Sequence, residues 1–402
     1  MHHTPTDPQQ PPVSQPGDAL TWADTARGRA FDSWLADVAS AHELDAASVR
    51  VASADASFRR YFRVLDATGQ SRVIMDAPPD KEDCAAFVKV ASLMQGGHIA
   101  APQVLAWDQA QGFMLLTDLG HHTLLDVLSH IPGLQSAFDI AAHPHAGAAA
   151  TYITEADKSA SLRQAHALVR SYMGQSLDML VQWQQATAPQ QLPPYDHALL
   201  LRELKLFEQW YVAQHKGFAL SESQQRMLDA TFETIIATNL DAPQVYVHRD
   251  FMPRNIMVAS DNSLGLLDFQ DAVIGPITYD IASLMRDAFW SWDDDMVIDI
   301  TVRYWERARA AGLLNHNDWD QDFGAFFRAV EWMGLQRHLK ILGIFARLTL
   351  RDGKPKYLAD TPRFIHYVRN TASRYRELKP LLHLIDEIEG LQVASGYSFG
   401  PA

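Results

Sequence analysis

Carboxylate and amide side chains occur in two short polar turns in the second half of the chain, each beside an apolar run. Asp250 and Asn255 lie between two apolar runs, and Asp268 follows thirteen residues after Asn255, at the end of a third. Phosphoryl transfer needs a group that accepts the proton of the attacking hydroxyl or orients it, and oxygen ligands that hold magnesium on the phosphates. The pattern therefore indicates phosphoryl-transfer chemistry. The competing interpretation is two polar turns in a core, with carboxylates that cap helices.

The order of these residues resembles a known motif pair. His248-Arg249-Asp250, then Asn255 and Asp268-Phe269, is similar to the catalytic loop and metal motif of protein kinases. The match is closer to the aminoglycoside phosphotransferase and choline kinase superfamily. This resemblance implies that Asp250 is the catalytic base and that Asn255 and Asp268 bind Mg²⁺. It also implies that His248 and Arg249 shape the loop.

Two further aspartates follow the metal motif. In the superfamily this motif often continues to another acid, here Asp271, which we expect to contact the substrate. Asp280 matches an aspartate that supports the catalytic loop through hydrogen bonds in the superfamily. An N-cap of the next helix is an equally good interpretation of Asp280.

The elements that must position these groups fall into two parts. Alternating apolar patterns and helical periodicity predict an N-terminal part with these elements: a helix at 22–41, strands at 49–54, 60–65, 72–75, 103–107 and 113–117, and a helix at 81–95. Helical periodicity dominates after Leu119. We therefore predict an α+β, bilobal, protein-kinase-like fold with a small antiparallel N-lobe and a mainly helical C-lobe. The predicted domains are a disordered tail at 1–20, an N-lobe at 21–118 and a C-lobe at 119–402.

The resemblance assigns ATP binding to the N-lobe. The loop over the phosphates would be 53–60, which contains no glycine, and the hinge would hold adenine through backbone amides. The predicted nucleotide-binding residues are Ser57, Phe58 and Arg59 in the loop and Leu116, Thr117 and Asp118 at the hinge. Strand counting places Met75 where kinases have a phosphate-anchoring lysine. Arg59, Arg60, Arg63 and Arg72 are candidates for the missing charge, and each is alternatively an exposed strand residue.

Four stretches resemble one subgroup of the superfamily, the kinases that phosphorylate the C1 hydroxyl of N-acetylmuramate and N-acetylglucosamine in cell-wall recycling. They are residues 55–63, 75–79, 268–276 and 334–347. The resemblance implies an amino-sugar substrate with ATP and Mg²⁺ as cofactors. The alternatives are a related kinase for an aminoglycoside, choline or an amino acid, and a pseudokinase suggested by Met75.

Basic residues are candidates for recognising the lactyl carboxylate of N-acetylmuramate. Arg337 and His338 lie in a basic segment, and Arg286 follows the metal motif closely. The alternative for Arg337 and His338 is a helix face paired with Glu331 or other acids. The aromatic group 289–292 either stacks on the sugar or packs in the core, and core packing is the favoured interpretation.

Composition limits the partners. A formal net charge of −14 argues against nonspecific nucleic-acid binding, because phosphate backbones need basic surfaces. The single cysteine, Cys84, excludes an intramolecular disulfide. The sequence shows no signal peptide and no apolar run of membrane-spanning length. We therefore expect a cytoplasmic protein, with a monomer as the working expectation, that binds neither nucleic acid nor membrane.

Overall fold

A computed structural model describes residues 17–22, 24–54, 58–131, 134 and 160–391. The chain falls into two compact units that divide between Gly120 and His121. Most of the predicted tail, residues 1–16, lies outside the described residues. None of the helices in the described ranges combines the length and the apolar character that a membrane span requires.

The first unit is an antiparallel sheet with two helices. Its strands are β1 (Leu44–Ala54), β2 (Arg60–Asp66), β3 (Ser71–Asp76), β4 (Val104–Asp108) and β5 (Phe113–Thr117). They are ordered β1-β2-β3-β5-β4, so each pairs with a neighbour through an antiparallel ladder. The helices are α1 (Thr25–His42) and α2 (Cys84–Gly96). The predicted five strands and inserted helix are confirmed.

Alternation along the strands gives this sheet two distinct faces. Apolar residues of α1, among them Phe31 and Trp34, pack on one face against Phe62, Ile74 and Leu115. Met75 lies opposite Tyr61 in the ladder, so both side chains are on the other face. One face of the sheet is therefore covered by α1, and the Met75 side chain lies on the opposite face.

Both helices of this unit begin later than predicted, because an aspartate caps each one. Asp24 accepts hydrogen bonds from the amides of Ala26 and Arg27, so α1 starts at Thr25. Asp83 accepts from the amide of Ala85 and starts α2 at Cys84. The residues before each cap, including Trp22, were wrongly assigned to helix.

The second unit is mainly helical. Its helices are α3 (Leu124–His130), α4 (Ala160–Gln185), α5 (His197–Leu206), α6 (Glu222–Leu240), α7 (Thr278–Met285), α8 (Asp294–Ala310), α9 (Phe323–Leu350), α10 (Thr361–Arg374) and α11 (Lys379–Ile388). A π-helix, Phe207–His215, continues α5, and short 3₁₀ turns cover Pro253–Asn255, Pro355–Asp360 and Arg376–Leu378. The long helix α9 is central, because α5, α6, α7, α10 and the π-helix all pack against it.

Short strands in this unit carry the polar turns singled out in the sequence. They are β6 (His122–Thr123), β7 (Gln244–Val247), β8 (Ile256–Val258), β9 (Leu264–Leu266) and β10 (Val273–Pro276). β7 pairs with β10, and β6, β8 and β9 form a small antiparallel sheet. The observed architecture is the predicted α+β fold, an antiparallel sheet unit followed by a helical unit.

Candidate active site

The loop that carries Asp250 and Asn255 is held at both ends by strands. It leaves β7, whose last residue Val247 pairs with Val273, and enters β8, whose first residue Ile256 pairs with Leu266. Asp250 is partly exposed and Asn255 is buried. The predicted placement of both residues in one loop between short strands is confirmed.

Asn255 connects this loop to the segment that carries Asp268. Its Nδ2 donates to the main-chain oxygen of Asp250 at 2.9 Å, and its own main-chain oxygen accepts from the amide of Leu267 at 2.8 Å. Leu267 directly precedes Asp268. The β8–β9 hairpin therefore brings Asn255 and Asp268 to the same end.

Asp268 has an unusual backbone and an exposed side chain. Its φ is 62°, in the left-handed region that residues other than glycine rarely adopt. Gln270 Nε2 donates to Asp268 Oδ1 at 2.9 Å. Strained backbone of this kind concentrates at functional sites, where the surrounding contacts maintain it. The carboxylate is thus held in an accessible orientation.

The side chains of Asn255 and Asp268 fit a divalent cation that also binds phosphate. The Asn255 amide nitrogen is engaged by Asp250, which leaves the amide oxygen for a cation. Within the described residues, no group of three or more His, Cys, Asp or Glu side chains forms a metal site. Magnesium prefers one or two carboxylates with phosphate oxygens and water to an all-protein cage. One carboxylate and one amide oxygen match that preference.

Asp280 supports the catalytic loop from α7. Its Oδ2 accepts from the amide of His248 at 2.7 Å, and its Oδ1 accepts from the amide of Arg249 at 3.0 Å. Burial raises the pKa of Asp280 to about 7, although the two hydrogen bonds from backbone amides and the charge of Arg337 act to lower it. The N-cap of α7 is Ile277, without a side-chain bond. The supporting role is confirmed, and the N-cap interpretation of Asp280 is wrong.

His248 is a neutral, buried member of the loop. The residue has no exposed surface, and burial lowers its pKa to about 4, against the opposing charge of Asp250. Its Nδ1 accepts a hydrogen bond from the amide of Asp250 at 3.3 Å, which requires an unprotonated nitrogen. The imidazole therefore fixes the backbone at Asp250, as expected for a residue that shapes the loop.

Glu203 and Gln270 contact the catalytic segments but were missed by sequence reasoning. Glu203 accepts from Arg249 Nη2 at 2.6 Å. Glu203 lies on α5 beside Leu200 and Leu204, which are fully buried, and is itself 5% exposed. An acid on the apolar face of a helix is a signal that the sequence already contained. Gln270 offered no comparable signal.

Two predicted substrate residues keep partly or fully exposed positions. Asp271 is exposed, and its main-chain oxygen accepts from Arg249 Nη1 at 3.4 Å. Arg286 follows α7 and pairs with Asp294 at 2.5 Å, with its side chain 17% exposed. Arg286 also lies over the ring of Tyr367. A role of Asp271 and Arg286 in substrate binding stays a prediction.

Arg337 and His338 are buried residues of α9. They are 2% and 1% exposed, inside the packing of α9. The Arg337 guanidinium lies 5.2 Å from the Tyr279 ring centroid, and His338 Nε2 is 3.4 Å from the main-chain oxygen of Arg286. Burial lowers the pKa of His338 well below its usual range, so the ring is neutral. Burial of both side chains favours a role in the scaffold over a contact with the sugar carboxylate.

The alternative interpretation is wrong for Glu331, although the charge of Arg337 acts to lower the pKa of two other buried acids, Asp280 and Asp287. Glu331 pairs with Arg374 and accepts a hydrogen bond from Tyr375, so its partners lie on other elements. In the aromatic group, Trp290 and Trp292 are each 5% exposed, which confirms core packing for both tryptophans. Phe289 is partly exposed and lies under the guanidinium of Arg254 at 4.6 Å.

In the first unit, the predicted phosphate loop is only partly described. Ser57 lies outside the described residues. Phe58 is 65% exposed. Arg59 Nη2 donates to Glu82 Oε2 at 2.8 Å, with side chains 12% and 16% exposed. Near the end of this loop, Arg59 is thus paired with Glu82, which lies just before α2.

The predicted hinge residues are engaged within the same unit. Leu116 is 2% exposed, and Thr117 Oγ1 accepts from the amide of Gln103 at 2.9 Å. Asp118 accepts from Arg63 Nε at 2.8 Å and from Ser71 Oγ at 2.6 Å. Burial acts to raise the pKa of Asp118, but these bonds and the charge of Arg63 outweigh it and lower that pKa. Asp118 is therefore an ionised anchor at the end of β5.

The strand position that carries lysine in kinases is fully apolar here. Met75 has no exposed surface. Arg72, the cation of β3, pairs with Asp66 at 2.9 Å and donates to Gln70 at 2.8 Å. Arg63 is paired with Asp118. Of the four arginines considered from the sequence, Arg59 is the one that pairs with an acid next to α2.

Comparison with known proteins places these features in context. A model of the family described as "Phosphotransferase enzyme family" matches residues 48–314. The chain is 40% identical to an N-acetylmuramate/N-acetylglucosamine kinase of Neisseria meningitidis, over 91% of this chain and 98% of that protein. It is 41% identical to a protein of the same name from Pseudomonas aeruginosa, over 85% of this chain and 89% of the relative.

Solved structures agree on the fold. A choline kinase from Streptococcus pneumoniae superposes with a TM-score of 0.53 at 10% identity, covering 86% of this chain and 99% of that one. A gentamicin complex of the aminoglycoside phosphotransferase APH(2")-IIa gives a TM-score of 0.53 at 11% identity, covering 87% and 99%. At such low identities the likeness concerns the fold alone.

Proposed function

Because the chain belongs to the phosphotransferase enzyme family, we propose that it is an ATP- and magnesium-dependent kinase of N-acetylmuramate and N-acetylglucosamine. The phosphoryl group is transferred to the anomeric C1 hydroxyl. The observation that carries phosphoryl transfer is the arrangement of the catalytic loop, where Asn255 connects the Asp250 backbone to the hairpin end that carries Asp268. The amino-sugar substrate is supported by the names of the relatives that share about two fifths of their residues with this chain.

Asp250 is the proton acceptor in this proposal. Its backbone is held on both sides, by His248 Nδ1 at its amide and by Asn255 Nδ2 at its carbonyl. A positioned carboxylate accepts the proton of the attacking hydroxyl as the new bond to phosphorus forms. An anomeric hydroxyl is more acidic than an ordinary alcohol, so the carboxylate does not need to be an unusually strong base.

The carboxylate of Asp268 and the amide oxygen of Asn255 would hold Mg²⁺. The bound ion neutralises charge on the phosphate oxygens of ATP. Gln270 keeps the Asp268 carboxylate oriented, and Asp280 keeps the loop backbone in place. The protein thus contributes position and fixed charge, which is most of what phosphoryl transfer requires of an enzyme.

The nucleotide side of the proposal rests on the first unit. Arg59, held by Glu82, supplies the cation that Met75 cannot supply. Phe58, Leu116, Thr117 and Asp118, together with Ser57, complete the nucleotide-binding set. For the sugar, Asp271 and Arg286 are the proposed contacts. The buried Arg337 and His338 are assigned to the scaffold.

The experiment that tests the function compares four acceptors. ATP consumption is measured with N-acetylmuramate, N-acetylglucosamine, kanamycin and choline, each with and without magnesium. We expect turnover with both N-acetylated sugars, only in magnesium, and phosphorus NMR should show an anomeric phosphate ester. A phosphate on C6 would overturn the regiochemistry. Turnover with kanamycin or choline and not with the sugars would replace the substrate assignment.

A further inference from the structure

A buried ion cluster in the second unit lies directly behind the catalytic loop. Glu203 of α5 is its centre. Glu203 Oε1 is 2.6 Å from Arg249 Nη2 and 3.2 Å from Lys340 Nζ, and the Tyr195 hydroxyl donates to Glu203 Oε2. Lys340 Nζ also donates to the Tyr279 hydroxyl at 3.2 Å. Three elements, α5, α9 and the catalytic loop, thus meet at one carboxylate.

The members of this cluster are shielded from water. The side chains of Glu203, Lys340 and Arg249 are 6%, 13% and 18% exposed. Burial acts to raise the pKa of Glu203, but the charges of Lys340 and Arg249 outweigh it and lower that pKa. The acid is therefore ionised between two cations. Removing Glu203 from this group leaves two buried cations without their acid, which is far more disruptive than the loss of an exposed pair.

The location of Lys340 is set by a close helix crossing. A Cβ atom added to Gly343 would lie 2.3 Å from the main-chain carbon of Leu206, so the backbones of α9 and α5 touch there. Lys340 lies one turn before Gly343, and Glu203 lies one turn before Leu206. Gln336 Nε2 adds a bond to the main-chain oxygen of Leu200 at 3.0 Å. The close crossing therefore places Lys340 next to Glu203.

The cluster reaches both catalytic segments through Arg249. This residue directly precedes Asp250 and has a φ of 77°, so its backbone is held in the left-handed region. Its Nη2 bonds to Glu203, and its Nη1 donates to the main-chain oxygen of Asp271, three residues after Asp268. One guanidinium thus ties the loop of Asp250 to the turn that follows Asp268.

We infer that Lys340 and Glu203 are positioning residues for phosphoryl transfer, acting through Arg249 on the loop of Asp250 and the turn after Asp268. This inference rests on the proposed function. Neither residue accepts the proton or binds the metal. Glu203 anchors the Arg249 guanidinium, and Lys340 holds the same Glu203 oxygen from α9. Together they keep the Arg249 side chain in one orientation. Small displacements of reacting groups reduce rates strongly even when substrates still bind.

The test uses the full chain with N-acetylglucosamine and MgATP. The variants are Lys340→Met, Lys340→Arg and Glu203→Gln, and the matched control is Lys205→Met. Lys205 lies on α5 like Glu203 but pairs with Glu208 and Asp229 at the surface. We expect Lys340→Met and Glu203→Gln to lower kcat by about 10- to 100-fold, with KM for both substrates within about twofold of wild type.

Conservative replacement separates positioning from general damage. Lys340→Arg keeps the charge beside Glu203 and should recover most of kcat, while Lys205→Met should retain the wild-type value. If Lys340→Met does not fold, Glu203→Gln carries the same test, because it keeps the side-chain volume and one acceptor oxygen. Wild-type kcat in either folded variant would overturn the inference.

Two further outcomes keep this inference distinct from the proposed function. A wild-type protein that phosphorylates none of the acceptors would refute the function, whatever the variants do. An active wild type with a Lys340→Met variant that raises KM for N-acetylmuramate alone, at unchanged kcat, would make Lys340 a contact for the lactyl carboxylate. That result would overturn the positioning role and leave the kinase assignment intact.

Discussion

The catalytic loop of the second unit and the Met75-bearing sheet of the first unit differ in how their functional residues are held in place. In the loop, backbone groups of Asp250 are held by His248 and Asn255, those of His248 and Arg249 by Asp280, and one ion pair, Arg249 with Glu203, adds to these bonds. In and beside the sheet, charged residues are held by ion pairs, such as Arg63 of β2 with Asp118 and Arg59, just before β2, with Glu82. A backbone-based arrangement needs particular side chains at particular spacings, whereas an ion pair can be rebuilt from another strand or loop.

The family model spans both regions, and the difference concerns single positions such as Met75, where kinases have lysine. Replacing His248 or Asn255 would remove a bond that holds the backbone at Asp250. A phosphate-anchoring cation can be moved, since only its charge and its reach matter. The comparison predicts that loss of the Asp250 carboxylate will affect turnover and that loss of the Arg59 guanidinium will affect nucleotide affinity.

The largest effect is expected for Asp250→Asn. The amide keeps the size of the side chain but does not accept a proton, and removing a positioned base typically costs about 10²- to 10⁴-fold in rate. Steady-state kcat and ATP binding by calorimetry are the measurements. We expect kcat to fall and MgATP affinity to persist. More than half of the wild-type kcat would remove Asp250 from the role of base.

Asp268→Ala is expected to weaken nucleotide binding, and only when magnesium is present. Loss of the carboxylate ligand should reduce MgATP affinity by roughly 10- to 100-fold, while Asn255→Ala should cost less because its oxygen is neutral. ATP titrations of both variants with magnesium and with EDTA would measure this. Unchanged magnesium-dependent affinity in Asp268→Ala would eliminate the metal assignment.

Arg59→Met and Arg60→Met form a matched pair in the first unit. Arg60 neighbours Arg59 but stacks on Trp22 at 4.4 Å and lies near Asp76, on the α1 side of the sheet. We expect Arg59→Met to raise KM for ATP by about tenfold with little change in kcat, as for the loss of one charge-assisted contact. Arg60→Met should leave KM for ATP unchanged. Equal effects of both variants would assign Arg59 to the fold instead.

The smallest effect concerns stability and pH. Asp280 has a pKa near 7 in the folded protein, raised by burial, so its stabilising protonation is lost as pH increases toward 7. His248 has a folded pKa near 4, so its contribution changes in the opposite direction, and stability is lost as pH falls. In the Asp280→Asn variant, the pH-dependent contribution of Asp280 to stability is lost and that of His248 remains.

The free energy of unfolding of Asp280→Asn should therefore rise with pH more steeply than that of wild type. Between about pH 4.5 and 6.5 the two slopes should differ by on the order of 1 kcal/mol per pH unit. Urea unfolding at several pH values would measure both slopes. Parallel profiles would show that Asp280 is ionised throughout this range. The two hydrogen bonds from backbone amides would then lower its pKa more than burial raises it.

Much of the fold was predictable because it rests on local patterns. The five strands of the first unit follow apolar alternation, and the strands around Asp250 follow short apolar runs. Helix starts were less predictable. Asp24 and Asp83 decide them by capping, and apolar periodicity runs on through a cap. The choice between the two interpretations of Asp280 also needed the structure, because its bonding partners lie more than 30 residues away.

By itself the sequence determined that Asp250 and Asn255 share one loop between short strands and that Asp268 follows the next short strand, because short segments with fixed spacing carry those groups. The sequence did not determine which basic residue of α9 reaches the acid on α5. Arg337 and His338 are buried, whereas Lys340, two residues on, reaches Glu203. That outcome depends on the contact of Gly343 with Leu206, where two helices far apart in the chain touch. Only the tertiary structure decides such a crossing, because the rotation of a helix about its axis is fixed by the elements that pack against it.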